Sequence, residues 1–380
     1  MAITTIHPRY TEWYTVNGES MANYGFGITS VQTGMPDRKG ENTTSPIIHG
    51  DIFREKRFGP RTDSWNIWVS DANPTTGVTP TTEGAKRSQF NSNIEYLNGI
   101  FNKMTPYSTK NGTLEIKKFN MVPVNGGSSV SYDSSDSSSL TFSTGLNSHG
   151  LSVGDKVSTD GFSPATLNFD ARPITAVTST TFTVANPYGA YDDEAEGFDG
   201  SGLAFGTLEK VAYAEVVSSY SIDDHREFNQ ALISIEVRYP DPRWYSTSSN
   251  LFQITQMATA TSLSSAYVGN APVTDMVIVI TASGGSLVNP VLSNGTLTDY
   301  PGSIGFVGTI LSGDSVTIDT GSLTLTKTVS GVTSNSIANL YRGGYRQDWM
   351  EIYPSVANSF TLSSSSGSGT TDITYTKAYI

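Results

Sequence analysis

The stretch LISIEVRY at 232–239 alternates apolar and polar side chains with a period of two. Ile233, Ile235 and Val237 fall on one side of an extended chain, and Ser234, Glu236 and Arg238 fall on the other. A β-strand with one buried and one wet face satisfies that pattern, whereas a helix would scatter the apolar residues around its axis. The same period runs through WNIWV at 65–69, and 114–122 and 211–217 read as further strands. Toward the C-terminus, strand candidates at 277–281, 303–309, 315–319, 323–328, 359–362 and 371–378 recur about every ten residues, a spacing that suggests a sandwich. Turn signals at Asn294-Gly295, Gly313-Asp314 and Ser330-Gly331 punctuate them.

Composition agrees with the period. Charged residues make up 15% of the 380, against about 25% in ordinary globular chains. Ser, Thr, Asn and Gly take their place, which suits half-solvated strands joined by many turns better than long surface helices. One helix is expected over 84–104, where Phe90, Ile94, Leu97, Phe101 and Met104 form a stripe at spacings of three and four. Thr81 or Thr82 can cap its start, Glu83 sits near its positive end, and Pro106 ends it. A lone amphipathic helix among strands is expected to pack on a sheet or cover its edge.

The expected fold class is mainly β, with a barrel or sandwich carrying one packed helix, a small inserted β-domain and a C-terminal β-sandwich. The Ser/Gly-rich stretch at 126–139 reads as a linker, followed by compact strands around HGLSVGDKV and ITAVTSTTFTV and by a loose acidic stretch at 191–206. Residues 126–206 therefore read as an insertion between 1–125 and 207–250. A soft stretch at 246–263 leads into the C-terminal domain at 251–380, and the serines at 363–366 with 367–369 read as an exposed hairpin loop.

The search for chemistry is mostly negative. There is no cysteine, which excludes disulfides, thiolate metal sites and Cys nucleophiles. No phosphate-binding loop, zinc-protease helix or nucleophile elbow occurs, and Gly25-Phe26-Gly27 is followed by Ile-Thr-Ser, which fails the dinucleotide pattern. His7, His49, His149 and His225 are scattered and read as satisfied surface or turn residues. The acidic loop with Asp192, Asp193, Glu194, Glu196 and Asp199 lacks the spacing of the common calcium loop and reads as solvated. Nothing favours a paired-carboxylate glycosidase. No catalytic, cofactor-binding or metal-binding residue is assigned, and no cofactor or enzymatic activity is expected.

The net charge of −12 repels phosphate, so neither nucleic-acid groove binding nor attraction to an anionic membrane is expected. The opening MAITTIHPRYTEW has no basic or apolar signal region, and apolar runs such as 276–280 are far short of the ~20 residues of a membrane helix. The cluster Tyr239-Pro240-Asp241-Pro242-Arg243-Trp244-Tyr245 follows a strand directly. Its prolines stop the ladder, and its aromatics suit a packed corner, a domain junction or a subunit contact.

Several segments, in order, resemble the siphophage distal tail protein family. They are Tyr14-Thr-Val-Asn-Gly18 with 27–33 and 47–54, then the charged approach and alternating strand at 57–69, then Asn93-Ile-Glu-Tyr-Leu-Asn-Gly-Ile-Phe101. Tyr213-Ala-Glu-Val216 through to LISIEVRYPDPRWYS follows, and then a C-terminal pattern of Ala271-Pro-Val, 311–320, Trp349 and Tyr353-Pro354 to Asn358. The resemblance covers about three quarters of the chain and leaves 126–206 outside. It implies a tail-tube-like barrel with the helix packed on it and a galectin-like or carbohydrate-module-like sandwich at the C-terminus. It further implies a homohexameric ring in the virion tail tip, or baseplate, that joins the tail tube to the tail-tip hub and continues the DNA channel.

The partners implied are further copies of the chain, the major tail-tube protein, the tail-tip hub protein, the tape-measure protein and receptor-binding or side-fibre proteins. DNA would be only passing cargo, and the host cytoplasm the place of assembly. Strand edges completed by neighbours would leave loops such as 66–80 or 32–46 to order on assembly. The rival readings are a major tail-tube protein with outer decoration, and a carbohydrate-binding protein using Tyr341, Tyr345, Trp349 and Tyr353.

Overall fold

Every second residue of the strand Arg61–Val69 is buried, from Arg61 through Asp63, Trp65 and Ile67 to Val69. Its neighbour Gln230–Tyr239 repeats the pattern with Ala231, Ile233, Ile235, Val237 and Tyr239. The strands run antiparallel, with Ile233 opposite Ile67 and Ile235 opposite Trp65. A slip of one residue would turn an apolar row outward, so the alternation fixes register as well as strand. This computed structural model describes residues 2–7, 12–36, 38–39, 43–44, 51–52, 57–101, 114–124, 128–133, 138–145, 149, 151–163, 167–186, 201–217, 221–225, 229–264, 269–296, 302–343 and 350–380. The fold is mainly β, with 56% of the described residues in strands and 8% helical. The chain divides into two units, Met1–Pro242 and Arg243–Ile380.

In the first unit the sheet extends from Arg61–Val69 to Phe26–Gln32 on one side. On the other it runs through Gln230–Tyr239, the long strand Ser201–Val216, Leu114–Pro123, Trp13–Val16 and Glu19–Ser20. A bridge between Ala22 and Gly27 brings its ends together. The Asn17-Gly18 turn, with φ of 50° and 83°, uses the left-handed backbone that Asn and Gly tolerate and that a tight hairpin requires.

The helix Glu83–Phe101 covers the apolar side of this sheet. Its Phe101 stands edge-on to Trp65 at 6.4 Å between centroids, and its Tyr96 lies 6.2 Å from Phe26. Thr82 caps its start, accepting from Ala85 N–H at Oγ1 over 3.4 Å. The buried stripe is Phe90, Asn93, Leu97, Ile100 and Phe101. Ile94, expected within it, is half-buried because it sits at the stripe's edge; Met104 and Pro106 lie outside the described residues.

Asn93 is the polar member of that stripe. Its Nδ2 donates to the carbonyls of Ser70 (2.8 Å) and Ala72 (2.9 Å), and its Oδ1 accepts from Gln89 Nε2 (2.9 Å). Asn73 then folds the next turn, its Oδ1 accepting from Thr75 and Thr76 N–H. The expectation that 66–80 orders only on assembly is corrected accordingly: 66–69 is strand, and 70–80 is tied down within the chain. The companion loop at 32–46 lies partly outside the described residues.

A second circuit hangs on the same long strand. Val130–Asp133, Ser139–Ser143, Thr181–Ala185, Phe169–Val177 and Lys156–Asp160 pair in that order. The first and last both pair with Ser201–Val216, through 201–202 and 203–206 respectively, so the ring of strands closes. Phe142 is its centre, stacked on Phe182 at 5.3 Å and edge-on to Tyr132, Phe162 and Phe169. The reading of 126–139 as a linker is corrected in part: Val130–Asp133 is a strand, because buried Val130 enters this core and Tyr132 packs on Phe142.

The second unit is a sandwich. Trp244–Ile254, Gly369–Tyr379, Met276–Ala282, Ser315–Asp319, Thr324–Val329 and Val332–Asn335 pair in that order. They face a five-stranded sheet of Thr261–Leu263, Asn358–Ser363, Val291–Asn294, Gly302–Phe306 and Leu340–Gly343. One core joins the layers, with Ile278, Ile318 and Ile373 from the first sheet and Leu292, Ile304 and Phe360 from the second.

Two expectations are corrected in this unit. Much of the stretch at 246–263 is strand, because Trp244–Ile254 pairs with Gly369–Tyr379. The serine run is a crossover rather than a hairpin, since 364–368 leaves Asn358–Ser363 in one sheet and enters Gly369–Tyr379 in the other.

Replacing Asn93 with Leu keeps the branched shape of the side chain at a larger volume and removes both N–H donors from the Ser70 and Ala72 carbonyls. Denaturant unfolding of the first unit should show a loss of about 1–3 kcal/mol. An unchanged midpoint would mean the loop holds without the amide.

Candidate assembly surface

Burying one face of Arg61–Val69 and Gln230–Tyr239 presents the other face outward. There Trp68 stands opposite Leu232, Asn66 opposite Ser234, Ser64 opposite Glu236 and Thr62 opposite Arg238. The next strand sets Ser30 opposite Asn66. Asn66 Nδ2 donates to Ser30 Oγ at 2.9 Å, and its Oδ1 accepts from Ser234 Oγ at 2.6 Å. One amide thus links three strands through side chains, and Thr29 Oγ1 adds a bond to the Asn66 carbonyl at 3.1 Å.

This polar ladder has an apolar neighbour in Leu232, which is 41% exposed beside half-buried Trp68. Farther along, Arg238 pairs with Glu215 at 3.0 Å. An exposed ion pair of that kind stabilises by at most about 1 kcal/mol, so it orients more than it binds. An aromatic and an exposed aliphatic beside fixed polar groups have the make-up of a protein contact. A face whose polar side chains bond one another leaves fewer donors and acceptors to be stranded when it is covered.

The opposite face carries a buried charged corner at the end of the same strands. Arg61 Nε lies 3.1 Å from Asp63 Oδ1, its Nη1 donates to the Pro242 carbonyl at 2.8 Å, and its guanidinium sits 4.4 Å from the Tyr239 ring centroid. Asp63 also accepts from Gly34 N–H at 3.0 Å. Burial raises the Asp63 carboxyl above its ordinary range, outweighing the Arg61 charge and the Gly34 bond that lower it. Burial, with Asp63 and Glu12 adding to it, pushes the Tyr14 hydroxyl up to about 12.

The Tyr-Pro-Asp-Pro-Arg-Trp-Tyr run is therefore a packed strand-end corner on its first half, with Tyr239 fully buried and Pro242 pinned by Arg61. Arg243 opens the second unit by donating from Nη1 to Thr274 Oγ1 at 2.7 Å and to the Pro272 carbonyl at 3.2 Å. On the helix, Tyr96 donates to Glu19 Oε2 at 2.8 Å; burial and that bond push its hydroxyl up to about 12.

Of the four histidines, two have described side-chain contacts. His7 stands edge-on to Tyr24, and His149 bonds backbone groups of its own barrel. His225 lies in the strand Ser221–His225, while His49 and the acidic loop at Asp192, Asp193, Glu194, Glu196 and Asp199 lie outside the described residues. Among the described residues no three His, Asp or Glu side chains gather to hold a metal ion, and no helix is long and apolar enough to cross a membrane. Of the aromatic row in the second unit, Tyr341 is exposed and Tyr353 half-buried; Tyr345 and Trp349 lie outside the described residues.

The residues that organise these faces carried weak signals. Arg61 and Asp63 continue the odd-numbered row of Trp65, Ile67 and Val69, and Asn93 occupies a stripe position three before Tyr96 and four before Leu97. Polar residues in register with an apolar row are the mark of a buried network.

No family model matches the chain, and no curated protein matches it. Among solved structures it is similar to the SPP1 Dit protein, a hub adsorption apparatus protein of phages infecting Gram-positive bacteria. That similarity has a TM-score of 0.48 at 10% identity, over 97% of this chain and 99% of that one. It is also similar to chains of the phage p2 baseplate in its activated conformation. With Sr the TM-score is 0.32 at 6% identity, covering 96% of this chain and 98% of that one; with Ca it is 0.31 at 7%, with the same coverage. The structures it resembles are thus phage hub and baseplate proteins.

Because Asp63 holds its proton more tightly folded than unfolded, its contribution to stability is fully present below the unfolded value. It is lost as the pH rises through the raised folded one. A carboxyl carbon titration by NMR should place Asp63 above the ordinary aspartate range of about 4. Asp63→Asn should flatten the matching part of the stability profile; a carboxyl that titrates at or below the ordinary value contradicts the burial argument.

Proposed function

We propose that this chain is a structural protein of a long-tailed bacteriophage tail tip, a distal tail protein whose first unit forms a homohexameric ring. The order of sequence segments supports the family, and the helix-backed sheet of the first unit supplies the kind of barrel that family uses. The observation that carries assembly is the outward face of Arg61–Val69 and Gln230–Tyr239. Leu232 and Trp68 leave apolar surface there beside the Ser30-Asn66-Ser234 ladder, whose groups bond one another.

In a ring the contact is heterologous: this face meets a different patch of the next copy, and rotation closes the set. Such a ring would join the tail tube to the tail-tip hub, with the tape-measure protein and DNA passing through its channel. The C-terminal sandwich would serve contacts with receptor-binding or side-fibre proteins. The role is structural rather than catalytic, and its place is the virion tail tip after assembly in the host cytoplasm.

Light scattering behind size exclusion, with negative-stain imaging, tests the ring. The full chain should form closed hexamers, alone or on addition of the partner tube protein. Leu232→Asp should shift the species toward monomer while changing unfolding stability by no more than about 0.5 kcal/mol, as expected of an exposed site. A chain that stays monomeric under both conditions defeats the reading; a ring indifferent to the substitution moves the contact to another face.

A further inference from the structure

Both ring nitrogens of His149 meet backbone groups of fixed polarity. The Leu151 N–H can only donate, and it reaches Nδ1 at 3.0 Å. The Thr181 carbonyl can only accept, and it lies 3.0 Å from Nε2. These partners admit one form of the imidazole: neutral, with its proton on Nε2. A proton on Nδ1 removes the acceptor that Leu151 uses and sets two N–H groups against each other. The ring also stands edge-on to Phe182, 6.0 Å between centroids, so that neighbour offers no alternative acceptor of backbone strength.

What this arrangement holds is Leu151. Its side chain packs against the small-barrel core and fills the space beside Gly206, where any Cβ would collide with Leu151 Cδ2. Gly206 is paired on one side with Val157 of the small barrel and on the other with Val122 of the main sheet. The loop beyond is tied separately: Ser152 N–H donates to Asp155 Oδ2 at 2.8 Å, and Gly154 N–H to the Ile174 carbonyl at 2.9 Å.

The flanking strands Ser139–Ser143 and Thr181–Ala185 carry no ionisable residue. The charged groups of the surrounding elements include Asp155 on the loop, Lys156 and Asp160 on Lys156–Asp160, Asp170 and Arg172 on Phe169–Val177, and Glu209, Lys210 and Glu215 on Ser201–Val216. None of them is a partner in the bonds that His149 makes to Leu151 and Thr181.

We propose that His149 is a pH-operated clamp. Neutral, it seats Leu151 at Gly206; protonated, it releases Leu151 and loosens the small barrel where it meets the shared strand Ser201–Val216.

Amide hydrogen exchange on the full chain at pH 8 and pH 5, corrected for the intrinsic rate, tests this. Protection of the Leu151 amide should fall about tenfold at the lower pH, the scale of a backbone donor left without its acceptor. His149→Asn supplies a non-titrating oxygen that can accept from the N–H two residues on, as Asn does in turns. It should hold Leu151 equally at both pH values, while His149→Ala should lose protection at both. Wild-type protection that is the same at both pH values overturns the clamp, as does an equal fall in the Asn variant. Should the Ala variant fail to fold, the wild-type and Asn comparison still decides.

Discussion

The strand Ser201–Val216 belongs to two barrels, and the first unit depends on it. From 205 to 214 it runs beside Leu114–Pro123, and from 203 to 206 it also pairs with Lys156–Asp160. Around 205–206 both edges of the backbone are engaged, each by a different partner. Side chains must therefore be small where the two cores approach: Ala204 is buried in the small barrel, and Gly206 leaves room for Leu151. A bulky residue at Gly206 would meet Leu151, Val124 or both. The glycine thus gives the Leu151 side chain its seat at the junction, and a Cβ there would displace the end of that side chain.

That sharing explains how an extra barrel can be carried without breaking the first. The main sheet needs 207–214 in register with Leu114–Pro123 and 215–216 with Gln230–Tyr239, and the small barrel needs 201–206. The chain meets both demands by prolonging one strand, which is cheaper in backbone order than building two strands and a linker. Each core keeps its own aromatic centre, Trp65 with Phe101 in one and Phe142 with Phe182 in the other. On the polar side of the main sheet, Ser30, Asn66 and Ser234 bond one another.

Buried polar groups set the geometry at the ends of these elements. Arg61, Asp63 and the Pro242 carbonyl fix where the first unit stops, and Asn93 fixes the loop that leads into the helix. Such networks add little net stability when complete and cost much when broken, so they specify position more than they strengthen the fold. Arg243 plays the corresponding part at the start of the second unit through Thr274 and Pro272.

By itself the sequence determined the strand class, the helix at Glu83–Phe101 and the lack of catalytic motifs, because period two, period 3.6 and residue chemistry are local properties. It placed Ile233, Ile235 and Val237 on the buried face of Gln230–Tyr239, where they lie. Tertiary structure alone decided which strand pairs with which, and that overrode local composition: Trp244–Ile254 is a strand because Gly369–Tyr379 lies beside it, despite its run of serines. The serines at 363–366 begin a crossover because their flanking strands belong to different sheets. The outward face of Leu232, Trp68 and the Asn66 ladder likewise needed the fold, since two of its bonded members, Asn66 and Ser234, lie 168 residues apart. No window of sequence can show which residues a sheet will gather on one side.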